Sequence, residues 1–246
     1  MQIIIFCINQ YRNGVINISN FSKTIYTLLN KNCKKSAVII KKGECIHKIN
    51  YFDYSYEIYS LCNILKEINK NVQTSNVAII SENRYERNVA YFANVIAGNK
   101  IYLISPKIEK VKLDAIIKKY NIKILFFSTQ EQKNILEIFN TIDKNQVQSK
   151  IKEKKTNHLY SNKSQNKIPI LINFDSNNNT PQVLSYEKTI NKGKYLENYN
   201  TNNIYEESNN DTQTVIINDR NEITIKKEEL FNILKNISPN KNKINI

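Results

Sequence analysis

Between Asn76 and Pro106 the apolar positions change period twice. Val77, Ala78, Ile79 and Ile80 form a short continuous run, the pattern of a strand buried on both faces of a parallel sheet. After Ser81, Glu82 and Asn83 the spacing becomes helical: Val89, Phe92, Ala93 and Ile96 stand at i, i+3, i+4 and i+7, one stripe of a helix. Gly98 follows the last stripe residue, where a left-handed conformation would close the helix. Ile101 to Ile104 then restarts an apolar run that Pro106 terminates. Strand, helix and strand with short connections predict a βαβ unit laid on a parallel sheet, with Phe92, Ala93 and Ile96 buried and Gly98 at positive φ.

The remaining elements follow from the same patterns. Met1 to Ile18 has the character of an extended lead-in, and Ser19 or Asn20 is placed to cap a helix through Asn30 that buries Phe21, Ile25, Leu28 and Leu29. Ala37 to Ile40, a turn over Lys41 to Glu44, and Cys45 to Ile49 predict a hairpin. Asp53 is placed to cap a helix from Tyr54 to Ile68, with Ile58, Leu61, Cys62, Leu65 and Ile68 on its apolar face. Beyond Pro106, Val111, Leu113, Ile116 and Ile117 predict a helix, Ile122 to Phe127 a buried strand, and Ile135 to Phe139 the core of another helix.

Residues 1–140 therefore form an α/β core, in which the runs at Val77, Ile101 and Ile124 are expected as adjacent or near-adjacent parallel strands. Residues 141–167 carry almost no apolar positions and have the mark of a solvated linker or insertion. Residues 168–237 resume as an incomplete continuation of the same domain: a strand over Ile168 to Phe174, a short helical region with Leu184, Tyr186, Ile190, Gly193 and Leu196, a strand over Thr214 to Ile217, and a helix over Glu228 to Leu234. Glu197 to Asp211 is polar, and the asparagine-rich tail, 238–246, is expected to be disordered.

One stretch carries a family resemblance. Ser81, Glu82, Asn83, Arg84, Glu86, Ala90, Ala97 and Gly98, followed by an extended run and a proline, resemble the S-E-N-R-x-E-W segment and Ala-Gly-ended helix of AMP-forming acyl-CoA synthetases of the long-chain fatty acid type. Arg87 stands where that family commonly has tryptophan. Lys123, Ile124, Leu125, Phe126, Phe127 and Ser128 are similar to the family's K-x-L-F-x-S run, and the order helix, hairpin, helix, βαβ is also how those enzymes begin. The resemblance implies a partly parallel sheet with βαβ units, like the N-terminal subdomain of acyl-adenylate-forming ligases, and a chemistry of fatty acid activation with ATP, Mg and CoA.

The strand at Thr214 to Ile217 is where that chemistry should appear, because the family follows it with a glycine-rich loop like T-S-G-T-T-G-x-P-K-G. Backbone N–H groups reach phosphate oxygens only where side chains are absent. Here the strand leads into Asn218, Asp219, Arg220, Asn221 and Glu222, and the chain's 4 glycines, Gly14, Gly43, Gly98 and Gly193, lie far apart. Asp219 and Glu222 stand where phosphate ligands are expected, and like charge repels ATP. The 246 residues also contain no counterpart of the family's adenine-binding aromatic motif, ribose-binding aspartate or C-terminal lysine domain. No G-x-S-x-G or H-E-x-x-H occurs, and Glu228 with Glu229 forms a helix face rather than an acid/base pair. No residue is therefore assigned a catalytic, cofactor-binding or metal-binding role, and the chain is expected to lack ligase activity alone.

Composition adds one alternative. Lys and Arg number 36 against 22 Asp and Glu, a net charge of +14, which by itself suits an anionic partner such as nucleic acid or a lipid surface. The lysines follow no helical face and no RRM or helix-turn-helix is visible, so no specific nucleic-acid binding is expected. A further alternative is half of a split synthetase, whose open sheet edge would meet a second chain carrying the nucleotide site. Cys7, Cys33, Cys45 and Cys62 form no C-x-x-C, and His47 and His158 stand without ligand spacing, which suits free thiols in a reducing cytoplasm and no zinc site. Ile3 to Cys7 is too short for a signal peptide, and no run reaches the length of a membrane span.

Overall fold

The computed structural model describes residues 34–42, 44–69, 74–139, 169–175, 183–194, 213–218 and 220–226. A two-stranded antiparallel hairpin, β1 (Ser36–Lys42) and β2 (Cys45–Asn50), opens this part of the chain and runs directly into α1 (Tyr51–Ile68). Then follow β3 (Asn76–Ile80), α2 (Tyr85–Ile96), β4 (Lys100–Ile104), α3 (Lys110–Lys119), β5 (Ile124–Phe127) and α4 (129–139). After residue 169 come β6 (Ile170–Asn173), β7 (Val183–Ser185), α5 (Tyr186–Lys194), β8 (Gln213–Ile217) and β9 (Glu222–Lys226).

Seven strands form one sheet in the order β7-β6-β5-β3-β4-β8-β9, and every pair is parallel except β8 with β9. The expected adjacency holds: β3 lies between β4 and β5, with Val77 opposite both Ile101 and Ile124. Period-two alternation splits the strand residues between two apolar layers. Val77, Ile79, Ile101, Ile124, Phe126 and Ile172 join one core with the buried faces of α1, α2 and α5. Ala78, Ile80, Tyr102, Leu125, Phe127 and Val215 join a second core with α3 and α4. The result is a helix–sheet–helix sandwich in which the sheet centre is buried on both faces, as its unbroken apolar runs require.

The helix ends explain how the crossovers are made. At α2, Gly98 has φ 76°, its N–H donates to the Val95 carbonyl and that of Asn99 to the Asn94 carbonyl, the paired bonds of a Schellman ending. α3 closes the same way without glycine: Asn121 has φ 48°, and the N–H groups of Asn121 and Ile122 donate to the carbonyls of Lys118 and Ile117. Asparagine tolerates that conformation better than other non-glycine residues. The contact of α5 with α1 depends on Gly193, where an added Cβ would stand 2.0 Å from the Ser60 carbonyl oxygen. Phe92, Ala93, Ile96, Leu113 and Ile117 are buried, as the stripes predicted.

Several expectations need correction. The cap of α1 is Asn50, whose Oδ1 accepts the Asp53 N–H at 2.8 Å, so the helix begins three residues before the predicted Tyr54 and Asp53 lies in its first turn. Val111 is 81% exposed and no part of the α3 stripe, because it falls in the first turn on the solvent side. Leu184 belongs to a short edge strand, not to the helix, which begins at Tyr186. β9 was not foreseen; its Ile223-Thr224-Ile225 is β-branched, but only the half-buried Ile225 has reduced exposure, so it carries no core signature. Ile122 is buried but precedes β5. The predicted elements over 1–30, 228–234 and the linker and tail segments, along with Ile168, Leu196, Cys7, Cys33 and His158, lie outside the described residues.

Candidate functional site

In a parallel sheet the loops at the carboxyl ends of the strands gather side chains from elements far apart in sequence. Where two neighbouring strands send their following helices to opposite faces, a crevice opens between those loops. β3 and β5 are such a pair, since α2 packs into one core and α4 into the other. The loop after β3 is Ser81-Glu82-Asn83-Arg84, the segment that carries the family resemblance.

Arg84 organises this crevice. Its Nε donates to Glu86 Oε2 at 2.7 Å, and its Nη1 to Asp175 Oδ1 at 2.7 Å and Glu82 Oε1 at 3.3 Å. The guanidinium also lies 5.6 Å from the centroid of the Phe174 ring. Asp175, just past β6, accepts the Thr129 N–H on its other oxygen at 2.8 Å, and its own N–H donates to Asn173 Oδ1 at 2.7 Å. Asn173 Nδ2 in turn donates to Gln132 Oε1 at 2.6 Å. The cluster joins the ends of β3 and β6 to the first turns of α2 and α4.

Burial acts against the Asp175 carboxylate, but the Thr129 N–H and the Arg84 guanidinium outweigh it and hold its carboxyl below the usual range. Glu131 has no such help: it is 8% exposed, and burial together with the Glu82 charge raises its carboxyl. Glu57 on α1, beside Tyr186 at 3.4 Å, is likewise raised by burial against the pull of Tyr85, Tyr186 and Lys194. Arg87 is half-buried and lowered by burial, with Glu82 opposing. The bonds to Glu82, Glu86 and Asp175 engage the Nε and Nη1 groups of Arg84 and pair its charge with carboxylates, so the crevice is an acid-rich latch rather than a phosphate cradle. The Ser128 hydroxyl is buried there without a hydrogen-bond partner among the described residues.

The sequence named Ser81, Glu82, Arg84 and Glu86 only through the resemblance, and it gave no notice of Asp175, Thr129 or Asn173. A usable signal was present: apolar strand runs end on a small polar residue at Ser81, Ser105, Ser128 and Asn218.

The second place of interest is the turn from β8 to β9. Asn218 N–H donates to the Asn221 carbonyl at 3.0 Å, and its side-chain oxygen accepts the N–H of Arg220 at 2.9 Å and of Asn221 at 2.6 Å. The backbone N–H groups of Asn218, Arg220 and Asn221 are thus satisfied within the turn. Lys112 Nζ donates to the Asn218 carbonyl at 3.0 Å. Glu222, which the sequence places where phosphate ligands are expected, is engaged by Tyr120 and by Lys119 Nζ at 3.3 Å, and those partners hold its carboxyl low. Asp219 lies outside the described residues. Among the described residues no group of three His, Cys, Asp or Glu side chains is placed to hold a metal ion. His47 is exposed on β2, Cys45 and Cys62 are free, and burial pushes the Cys62 thiol up to about 11, which leaves it unreactive. No helix among the described residues is long and apolar enough to cross a membrane.

No protein-family profile and no curated protein sequence matches the chain. Its fold is similar to that of solved ligase structures. With anthranilate CoA ligase AuaEII in complex with anthranoyl-AMP the TM-score is 0.57 at 12% identity, covering 86% of this chain and 35% of that one. With the A domain of carboxylic acid reductase from Segniliparus rugosus, in complex with AMP and a co-purified carboxylic acid, it is 0.54 at 10% identity, covering 79% and 32%. With a benzoate CoA ligase from Burkholderia xenovorans it is 0.51 at 12% identity, covering 70% and 28%. The chain therefore spans about a third of the length of these structures. At such identities the likeness establishes the fold alone, a mostly parallel α/β sheet of the adenylate-forming ligase kind.

Proposed function

We propose that this chain is the N-terminal part of an AMP-forming acyl-CoA synthetase of the long-chain fatty acid type, acts in the cytoplasm, and does not catalyse adenylation alone. The fold and the Ser81–Glu86 segment support the ancestry. The β8–β9 turn carries the loss of activity: where the family presents a glycine-rich loop to ATP, the Arg220 and Asn221 amides are occupied by the Asn218 side chain. A carboxamide oxygen held at 2.6 Å takes the place a phosphate oxygen would need. Among the described residues of this turn no free backbone donors are left for the ATP phosphates, and on this reading the chain binds neither ATP with Mg nor CoA. The test is ATP–pyrophosphate exchange, with acyl-CoA formation, by the purified chain and a series of fatty acids. Baseline rates support the proposal; saturable turnover overturns it.

A second reading, half of a split synthetase, is favoured by the sheet edges. Among the described residues β7 and β9 each pair on one side only, and Leu184 and Ile223 on them are 48% and 51% exposed. A partner supplying further strands would cover them. An adjacent open reading frame encoding T-S-G-T-T-G, whose product co-purifies and restores exchange, supports this reading. Its absence, with the chain purifying alone, counts against it.

A further inference from the structure

Among the described residues the β1–β2 hairpin is covered on one face only. Its register pairs Val38 with Ile49, and both pack on the core beneath. The next pairs along the strands, Ile39 with Lys48 and then, two positions on, Lys41 with Ile46, alternate so that Ile39, Ile46 and Lys48 stand on the opposite face. Ile39 is 53% exposed and Ile46 60%. The hairpin feeds straight into α1, where Phe52 and Tyr56, one turn apart, are also exposed with their rings 6.4 Å apart and nearly parallel. Lys194 of α5 lies 5.4 Å from the Tyr56 ring. Lys48 shares the outward face with Ile39; Lys34 and Lys35 just before β1 and Lys188 and Lys192 on α5 are exposed as well, with Glu44, Asp53 and Glu187 as exposed acids.

We propose that the outward face of the β1–β2 hairpin and the first two turns of α1 form a docking surface for an anionic lipid bilayer. Apolar tips interspersed with lysine stems match an interface in which side chains enter the acyl boundary while ammonium groups remain at the headgroups. A second copy of this face is disfavoured, since lysines would be brought against lysines. Single-stranded nucleic acid would use the two rings and the lysines, but would leave Ile39 and Ile46 without a role. An anionic lipid surface uses both the apolar side chains and the lysines. The inference stands on the surface alone and does not depend on the proposed ligase ancestry.

The chain contains no tryptophan, so Phe52→Trp places a single reporter on this surface. The full-length variant is titrated with vesicles of phosphatidylcholine containing about one-third phosphatidylglycerol, with neutral phosphatidylcholine vesicles alongside. The proposal expects a blue shift of the emission, quenching by lipids brominated in the acyl chain, and a marked weakening on neutral vesicles. In that background Ile39→Ser with Ile46→Ser leaves the charge unchanged and should lower partitioning roughly tenfold or more. Far-UV circular dichroism checks that the triple variant remains folded. Adsorption without a shift or quenching shows that another face carries the charge-driven contact, and overturns the proposal. So do a shift produced by an oligonucleotide but not by vesicles, a shift on concentrating the protein alone with a doubled mass, or no binding.

Discussion

The two ends of the central strand β3 solve the same problem, joining a buried strand to its flanking elements, with opposite chemistries. At the amino end the polar groups are neutral and buried. Asn99 Oδ1 accepts Asn69 Nδ2 at 2.7 Å and the Ser75 N–H at 3.1 Å, its Nδ2 donates to Asn94 Oδ1 at 2.8 Å, and Asn94 Nδ2 donates to the Ala90 carbonyl. Ser75 Oγ donates to Asn69 Oδ1 at 2.6 Å. At the carboxyl end Arg84 holds Glu82, Glu86 and Asp175 in a half-exposed cluster, beside a poorly exposed Glu131 whose carboxyl is raised by burial and by the Glu82 charge. Neutral amides pair at little desolvation cost and do not titrate; the charged end is open to water, salt and pH. One end is a fixed anchor, and the other is the place where the sheet can respond to its surroundings.

The largest expected effect sharpens that contrast by placing a charge where neither arrangement exists. Ala93 is fully buried on the apolar face of α2 against the sheet, beside the amino-end network but outside its hydrogen bonds. Ala93→Asp introduces a carboxylate with no partner and is expected to cost about 4 kcal/mol or more, enough to leave the chain unfolded in urea titrations followed by circular dichroism. A variant as stable as the parent would show that α2 does not pack as described.

Next comes Asn99→Ala, which leaves the Ser75 N–H, the Asn69 amide and the Asn94 oxygen without their partner. A loss of about 2 to 3 kcal/mol is expected, equal at pH 4 and pH 7 because nothing in that network ionises. A pH-dependent loss would break the comparison.

At the other end, Glu131→Gln is expected to stabilise the chain at neutral pH, by about 0.5 to 1 kcal/mol. The folded-state value of Glu131 is raised, so its charged form is disfavoured by folding. The penalty is fully present above the folded value and disappears as pH falls below the unfolded one, so parent and variant should converge in acid. Asp175 has the opposite sign: its folded value is lowered, so its contribution is present above the unfolded value and lost as pH falls through the folded one. Asp175→Asn should destabilise at pH 7 by about 1 kcal/mol or less, since the pair is partly exposed, and the difference should shrink with added salt.

The fold was legible where one element announced itself by a change of period. β3, α2 and β4 were readable because a buried strand, a stripe and a glycine followed one another within one short segment. β7 and β9 were not: one has three residues, the other carries exposed positions, and edge strands need no unbroken apolar run. Asn50 outranked Asp53 as a cap because the hairpin ends there in an extended conformation, with φ −79° and ψ 168°, a feature of the preceding strand rather than of the helix. The crevice cluster was hidden for a different reason. Arg84 and Asp175 are 91 residues apart, and only the parallel strand order brings β6 near enough to β3 for them to meet. The turn at Asn218 was legible as the absence of glycine; that its own side chain fills the space is a matter of geometry.

The proposed reading, that Asn218 closes the turn after β8 against nucleotide, is tested most directly by calorimetric titration of the purified full chain with MgATP. The account predicts no saturable heat up to about millimolar ligand, the range in which an enzyme's substrate normally binds. A stoichiometric isotherm in that range, abolished by substitution of Arg220 or Asn218, would contradict it.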